Sequence, residues 1–522
     1  MLADRVAAVD KPKRPWRVVL LKPYQEVPGL VASPPLGILY LVSAIREQFG
    51  DTVDIQVLDM KSRVLDPDWL EEPLRRYRPD VVGVSALNCE AASSERIAKL
   101  VKTIDPAAVT VLGGPYPHRR AAELLERTHF DWIFDGMAER TFPEALRRHF
   151  NGEPLGEDIP GFSYRTATGP VLSVETDGVR ELDALRLPAW DLVDFDRYAH
   201  QPTMMLTLKG KRYATIFTSR GCPYKCNYCH DLFGKRFIYR SAEDVLGEIE
   251  LLYEKYGVDE FEIVDDIFNL HKPRLKKIMQ EVARRWPGKL HFCFPNGVRA
   301  DIIDESVLDA LVAGGTYAMS VAVETVTPRL QTLIEKNLEV EHVRKVIDWA
   351  DERGIMVCGF FMIGFPTETP EELRATIAFA LESRLSMAQF FNVTPQPETP
   401  LYELARREGP EALAAIMEDE KEGGCYRNAV TWYERTYDFP LAKLRRRAYR
   451  EFYLSPRRMW RIWNRVPGWR SLGIGIGGLL GNLMGRAQPH ALGRPKPPTN
   501  WPYVATSGST GAPLSIGSNH TM

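Results

Sequence analysis

The chain has 522 residues, 44% of them hydrophobic, with 67 Lys and Arg against 69 Asp and Glu, a net charge of −2. That length allows two to four domains with well-formed cores, and the near-neutral balance gives no reason to expect nucleic acid or an anionic membrane as the main partner. Seven cysteines, an odd number thinly spread, argue against a disulfide framework, and no stretch reaches the ~18 apolar residues that a membrane span requires.

Residues 1–16 are charged and lack an apolar core, so they read as a flexible start rather than a secretory leader, which predicts a reducing, cytoplasmic location. Over 17–150, short apolar runs alternate with helical periodicity. Arg17–Leu21, Val53–Leu58, Val81–Ser85, Thr110–Gly113 and Ile133–Phe134 read as strands, with helices at Leu36–Ile45, Asp68–Tyr77, Ser93–Ile104 and Arg119–Arg127. This alternation predicts a doubly wound, Rossmann-like parallel sheet that binds its ligand where the strands end. The G-x-G-x-x-G fingerprint of a dinucleotide site is missing after the first strand. Instead Gly113 and Gly114 follow the fourth strand, where paired glycines let a bulky flat ligand approach the main chain.

A polar connector is expected over 151–205, then a second α/β domain over 206–400. Its strand candidates are Thr215–Thr218, Glu260–Val264, Leu290–Phe294, Ala318–Val323, Val357–Ile363 and Ala388–Thr394, with helices such as Ala242–Tyr256 and Val340–Glu352 between them. Six such units fit a partial (β/α)6 barrel, whose functional groups gather at the strands' C-terminal ends. The first strand delivers the run Ser219–His230, which holds Cys222, Cys226 and Cys229. Three thiols so close let one loop wrap a single metal centre, and thiolate is the soft ligand of iron–sulfur clusters and zinc. A four-iron cluster on three cysteines leaves one iron open to a substrate or cofactor. A zinc site with His230 as fourth ligand is the alternative, although adjacent Cys229 and His230 reach one tetrahedral ion with difficulty. The later strands end in Asp265-Asp266, Asn296–Arg299, Val323-Glu324-Thr325, and Ile363–Pro366 with Glu368.

The C-x3-C-x2-C spacing, with Tyr228 before the last cysteine, resembles the radical S-adenosylmethionine superfamily. Together with Pro34–Leu39, Leu112–Pro115 and Gly136–Glu139, it makes residues 17–400 similar to the cobalamin-dependent branch of that family. The resemblance implies a 4Fe-4S cluster on Cys222, Cys226 and Cys229. It places S-adenosylmethionine against Tyr228, Asp265, Asp266, Arg299, Glu324 and Gly364. In that assignment the acids face the ammonium, Arg299 the carboxylate, Glu324 the ribose or a neighbouring base, and Gly364 admits the adenine. Cobalamin is expected near Pro35, Leu36, Ser85, Gly113, Gly114 and Glu139. The run Asp-x-His-x-x-Gly is absent, so the cobalt should carry no histidine on its lower face; His118 follows the glycines in a different context. Gly136-Met-Ala-Glu139 stands where the family often has Gly-Glu-Gly-Glu.

The activity so implied is methylation of an unactivated carbon on a small-molecule or natural-product substrate, through a 5′-deoxyadenosyl radical and methylcobalamin. A flavodoxin- or ferredoxin-type donor would supply the electron. Oxidative cyclisation or ring rearrangement is the enzymatic alternative, a cobalamin or redox sensor the non-catalytic one, and the first domain read alone could also be a ligand-free relic. Substrate choice should fall to a helical region over 401–485, with Cys425 and Gln396–Pro400. There the paired tryptophans Trp460 and Trp463 read as core or a domain contact, the Leu444–Arg447 run as a solvated face, and Leu472–Gly485 as a packed or interfacial segment. Peripheral contact with a membrane or lipid substrate stays open. Residues 486–522, rich in Pro, Gly, Ser and Thr, are expected to be disordered.

Overall fold

The computed structural model describes residues 14–24, 31–173, 179–201, 203–205, 208–229, 232–397, 399–421, 430–465 and 504–505. Continuous β-branched and leucine runs form five buried parallel strands: Trp16–Lys22 (β1), Val53–Asp59 (β2), Val81–Ser85 (β3), Val109–Gly113 (β4) and Trp132–Phe134 (β5). Runs apolar on both faces suit a parallel sheet covered by helices on each side. Their spatial order is β2-β1-β3-β4-β5. The chain therefore reverses direction across the sheet at β1, and the crevice beyond the ends of β1 and β3 is where such a sheet binds ligands.

Two differences from the sequence reading extend this sheet. Phe162–Thr166 (β6) and Gly169–Val171 (β7), assigned to the connector, form an antiparallel hairpin against β5. Val504–Ala505, inside the expected disordered tail, pairs antiparallel with the edge strand β2. Strand pairing over two residues has almost no local sequence signal, because the partner strand supplies the hydrogen bonds.

The second sheet contains Tyr213–Ile216 (β8), and a two-stranded antiparallel ribbon of Ser219–Arg220 (β9) and Ile238–Tyr239 (β10) follows β8. The remaining barrel strands are Glu260–Ile263 (β11), His291–Val298 (β12), Thr316–Glu324 (β13), Met356–Ile363 (β14) and Met387–Asn392 (β15). All six barrel strands are parallel, in the order β8-β11-β12-β13-β14-β15. The partial barrel is thus as expected.

One apolar cluster runs through both sheets, joining Val18 and Ile55 of the first to Phe261 and Val321 of the second. The connector contributes Trp190, which is buried and donates its indole N–H to Glu248 Oε1 at 2.8 Å. After the barrel, Leu441–Tyr453 packs on the edge strand β15. There the Ala388 and Phe390 N–H groups donate to the Tyr453 and Tyr449 hydroxyls at 3.2 and 3.0 Å, so two tyrosines cover a sheet edge that would otherwise be open. Arg458 is buried and donates to the carbonyls of Ala380, Leu381, Ser383 and Leu385, closing the end of the helix Pro370–Glu382. Trp460 and Trp463, read as core or a domain contact, are instead 70% and 53% exposed. Among the described residues no helix is long and apolar enough to cross a membrane. Cys425 and Leu472–Gly485 lie outside the described residues.

Candidate cofactor site

The cysteine loop leaves β9 and returns at β10, so the ribbon pinches its base. Gly221 turns the chain with φ +80°, and a Cβ there would lie 2.2 Å from the Arg236 carbonyl oxygen, so only glycine fits. Further along, the buried Asn227 ties the loop down: its side-chain amide donates to the Leu333 carbonyl at 2.6 Å, and its backbone N–H to Ile334 at 3.1 Å. Nothing in the sequence marked Asn227, because its partners come from a helix 100 positions away.

The two acids after β11 part company. Asp265 is 1% exposed and accepts from the Thr218 N–H at 2.6 Å, the Thr218 hydroxyl at 2.5 Å and the Ser219 hydroxyl at 2.6 Å. Burial pushes its carboxyl up, against the lowering effect of nearby Arg274. Its oxygens, expected from sequence to face a cofactor, are thus taken up by protein donors, and they lock the strand end from which the loop departs. Asp266 is exposed and accepts the Gly221 N–H at 2.8 Å. Partial burial first, then the Asp266 carboxylate and the Cys226 thiolate, push the Cys222 thiol up. Asp266 thus shares the space of the thiols. Three half-buried to exposed thiols on one pinned loop are a donor set of the right chemistry for an iron–sulfur cluster, although among the described residues no three His, Cys, Asp or Glu side chains converge as a metal-ion site.

Tyr228 meets Glu324 and Lys336. Lys336 Nζ lies 3.0 Å from Glu324 Oε1 and 3.1 Å from the Tyr228 oxygen, while the Tyr228 hydroxyl is 3.2 Å from the same carboxylate. Glu324 and Lys336 are both buried, and Glu324 sits at φ +63° beside an irregularity in the β13–β14 register. A non-glycine residue held there is costly and is characteristic of functional sites. Lys336 escaped the sequence reading, which followed strand ends alone.

Arg299 and Gly364 take different surroundings from those expected. The Arg299 guanidinium stacks 3.5 Å from the centre of the Tyr224 ring, pairs with Asp301 at 2.9 Å and donates to the Lys336 carbonyl at 2.9 Å. With these partners it braces the cysteine loop instead of standing free for a carboxylate. At Gly364, φ is +90° and a Cβ would meet Leu441 Cδ2 at 2.8 Å and Tyr433 Cβ at 3.1 Å. The space that a side chain would take here is filled by the C-terminal helices. The Gly364 N–H and that of Phe365 donate to Glu368 Oε2 at 2.6 and 2.9 Å. Burial pushes Glu368 up to about 8, and its Oε1 has no hydrogen-bond partner.

In the first domain, Gly113 and Gly114 also differ from each other. A Cβ on Gly113 would meet nothing within 4 Å, whereas one on Gly114 (φ +85°) would sit 2.8 Å from the Ala86 carbonyl and 3.0 Å from Ser85 Oγ. Gly114 serves the turn; Gly113 has open space where its side chain would be. Pro35 and Leu36 start the helix Leu36–Phe49 beside the crevice. The crevice also holds charges that the sequence reading missed. Lys22 at the end of β1 pairs with buried Glu90 at 2.6 Å, and Asp59 at the end of β2 accepts from the Tyr198 hydroxyl at 2.5 Å. Glu139, expected beside cobalamin, instead pairs with Arg220 at 2.7 Å, both almost fully buried. The Arg220 guanidinium lies 5.0 Å from the Tyr40 ring and 5.4 Å from Phe233. A second link joins the domains where the Tyr213 hydroxyl donates to the Ala32 carbonyl at 2.6 Å. His118 Nδ1 is 2.7 Å from Asp135 Oδ1.

Residues 30–146 match the B12 binding domain, and residues 216–380 match the Radical SAM superfamily. The chain belongs to the cobalamin-dependent radical S-adenosylmethionine family. As a member it uses a 4Fe-4S cluster, S-adenosylmethionine and cobalamin. An uncharacterized methyltransferase of Pyrococcus horikoshii is 29% identical, over 81% of this chain and 89% of its own length. Cytidylyl-2-hydroxyethylphosphonate methyltransferase of Streptomyces wedmorensis is 28% identical over 80% and 90%. The anaerobic magnesium-protoporphyrin IX monomethyl ester cyclase of Rubrivivax gelatinosus is 25% identical over 71% and 66%. The radical S-adenosylmethionine methyltransferase TsrM from Kitasatospora setae, solved with cobalamin and a [4Fe-4S] cluster, superposes with a TM-score of 0.61 at 21% identity, covering 75% of each chain. This radical S-adenosylmethionine enzyme therefore shares that two-domain fold.

Proposed function

We propose that this enzyme methylates an unactivated carbon of a small-molecule or natural-product substrate. The names of its two most similar relatives above support methyl transfer over cyclisation. The cofactors, when bound, supply reductive cleavage of S-adenosylmethionine, hydrogen-atom abstraction and a transferable methyl group. The chain's own residues bind, orient and shield them. Cys222, Cys226 and Cys229 hold the cluster, and exposed Asp266 faces the ammonium of S-adenosylmethionine. Glu324, fixed by Lys336 and Tyr228, offers its carboxylate to the ribose. Ser85, Gly113, Pro35 and Leu36 would line the macrocycle's side, and, because the Asp-x-His-x-x-Gly run is absent from the sequence, the cobalt would carry no histidine ligand. A flavodoxin- or ferredoxin-type protein in the cytoplasm delivers the electron.

The Arg220–Glu139 ion pair carries this reading, because it fastens the root of the cysteine loop to the domain that matches cobalamin binding. Methyl transfer requires those two cofactor platforms to be held at a fixed separation. The test needs no substrate. Reconstituted anaerobically with cluster and reduced cobalamin, the protein should convert S-adenosylmethionine bearing a CD3 group into CD3-cobalamin, detected by mass spectrometry. Under reduction it should also release 5′-deoxyadenosine, and the Cys222→Ala/Cys226→Ala/Cys229→Ala variant should lose the 5′-deoxyadenosine. Release of 5′-deoxyadenosine without any CD3-cobalamin would favour the cyclase reading; absence of both would favour the sensor.

A further inference from the structure

The four most exposed large apolar side chains among the described residues fall within ten positions: Leu454 at 56%, Met459 at 54%, Trp460 at 70% and Trp463 at 53%, with no other above 44%. Three of them lie on the helix Pro456–Arg465, which carries four arginines and no acid. Arg458 is buried within the fold, and Arg461 and Arg465 pair with Asp351, so Arg457 is left on the outer side with the tryptophans. Large apolar groups clustered at such exposure mark a contact surface, not ordinary scatter. The sequence around them is as lopsided as the surface. From Phe452 to Met522 there are eight Lys or Arg and no Asp or Glu, in a chain whose net charge is −2. The near-neutral total thus hides a basic C-terminal region on an acidic remainder.

We propose that this face docks on an anionic lipid bilayer, with Trp460 at headgroup depth, Met459 and Leu454 against the acyl boundary, and Arg457 near the lipid phosphates. Tryptophan with aliphatic side chains on one side of a basic helix is the composition of an interfacial helix. RNA would use the aromatic rings for stacking, but it has no use for an exposed methionine and leucine beside them. A second copy of the chain would bring like charges together. The geometry leaves the chemistry free. Asp351 and Leu385, which anchor this helix, immediately precede β14 and β15, at the end of the barrel opposite the cysteine loop. Docking therefore leaves the cofactor face open to substrate.

The experiment is co-sedimentation of the full chain with vesicles of phosphatidylcholine alone and of phosphatidylcholine mixed with phosphatidylglycerol. Binding to the anionic vesicles is expected, with neutral vesicles and binding in about 0.5 M salt both weaker by about tenfold or more. The Met459→Ala/Trp460→Ala variant removes only exposed groups, so its melting temperature and 5′-deoxyadenosine formation should match wild type while anionic-vesicle binding falls about tenfold or more. Brominated lipid should quench wild-type fluorescence more than that of Trp460→Phe, which places this one ring in the bilayer. The proposal is overturned if the protein ignores anionic vesicles or if the double variant binds them undiminished. It is equally overturned if vesicles are inert while tRNA, self-association, or burial of Trp460 by the chain's own C-terminal residues accounts for the face.

Discussion

Asp265 accepts three hydrogen bonds in the interior while Asp266, its neighbour in sequence, meets solvent and the thiols, so the same substitution should act on them differently. Asp265→Asn puts an NH2 donor in place of an accepting oxygen, facing groups that themselves donate. The expected cost is about 1–3 kcal/mol of stability, read as a lower melting temperature, together with reduced iron retention. Asp266→Asn should leave melting and iron content near wild type and lower 5′-deoxyadenosine formation by about tenfold, roughly 1.4 kcal/mol in the barrier or binding step. If instead Asp265→Asn melted normally and abolished S-adenosylmethionine cleavage, the buried acid would be the cofactor ligand after all. Position at a strand end told the sequence reader that acids belonged there. It could not tell which of the two pointed inward, because β11 ends at Ile263 and the chain no longer alternates beyond it.

At the scale of elements, β11 presents two carboxylates to the barrel interior that no motif marked. Glu260 Oε2 accepts the Lys209 and Gly210 N–H groups at 2.7 and 2.5 Å, and its other oxygen accepts from the Tyr317 hydroxyl at 2.6 Å. Glu262 lies next to Met205, whose N–H is 3.5 Å away. Together they hold the segment that enters the barrel. Burial pushes both carboxyls up to about 7, and the charge of Glu260 adds to the rise at Glu262. A carboxyl raised on folding binds its proton more tightly in the native state. Its ionised form therefore costs stability once pH climbs from the unfolded value near 4.5 to about 7, and the cost is absent below that window. Glu262→Gln, which cannot ionise, should raise the melting temperature at pH 8 and change it little at pH 5. A variant less stable than wild type at pH 8 would mean that the charged form is the one the segment needs.

Across the whole molecule the two cofactor domains are not beads on a linker but share one apolar cluster, with the Arg220–Glu139 pair near the cysteine loop's root. Removing one member of a buried pair leaves the other's charge unmet, typically at about 3–5 kcal/mol, whereas removing both together is often nearly neutral. Arg220→Met should thus lower the melting temperature by about 3–5 °C, and adding Glu139→Gln should recover much of it. The same single variant should slow methylation of cobalamin by CD3-labelled S-adenosylmethionine more than it slows 5′-deoxyadenosine release, because only the first step depends on the separation of the platforms. Equal loss in both steps would show that the pair serves stability alone.

The sequence by itself determined the class of both domains and where most of their parallel strands lie, and it singled out the three cysteines expected to hold the cluster. Those features are written locally: strand and helix periods repeat within ten residues, and one loop supplies all three thiols. Tertiary structure alone decided which strand-end residues remain available. Asp265, Arg299, Gly364 and Glu139 were each expected to touch a cofactor and are each occupied by protein, through partners that lie from 2 to 81 positions away. A side chain's partners are set by packing between elements, which a linear reading cannot rank. The exposed tryptophans show the same limit in reverse. Their spacing fits a buried helix face, but Arg458 and Phe452 occupy the side that packs, so the rings were left to the surface.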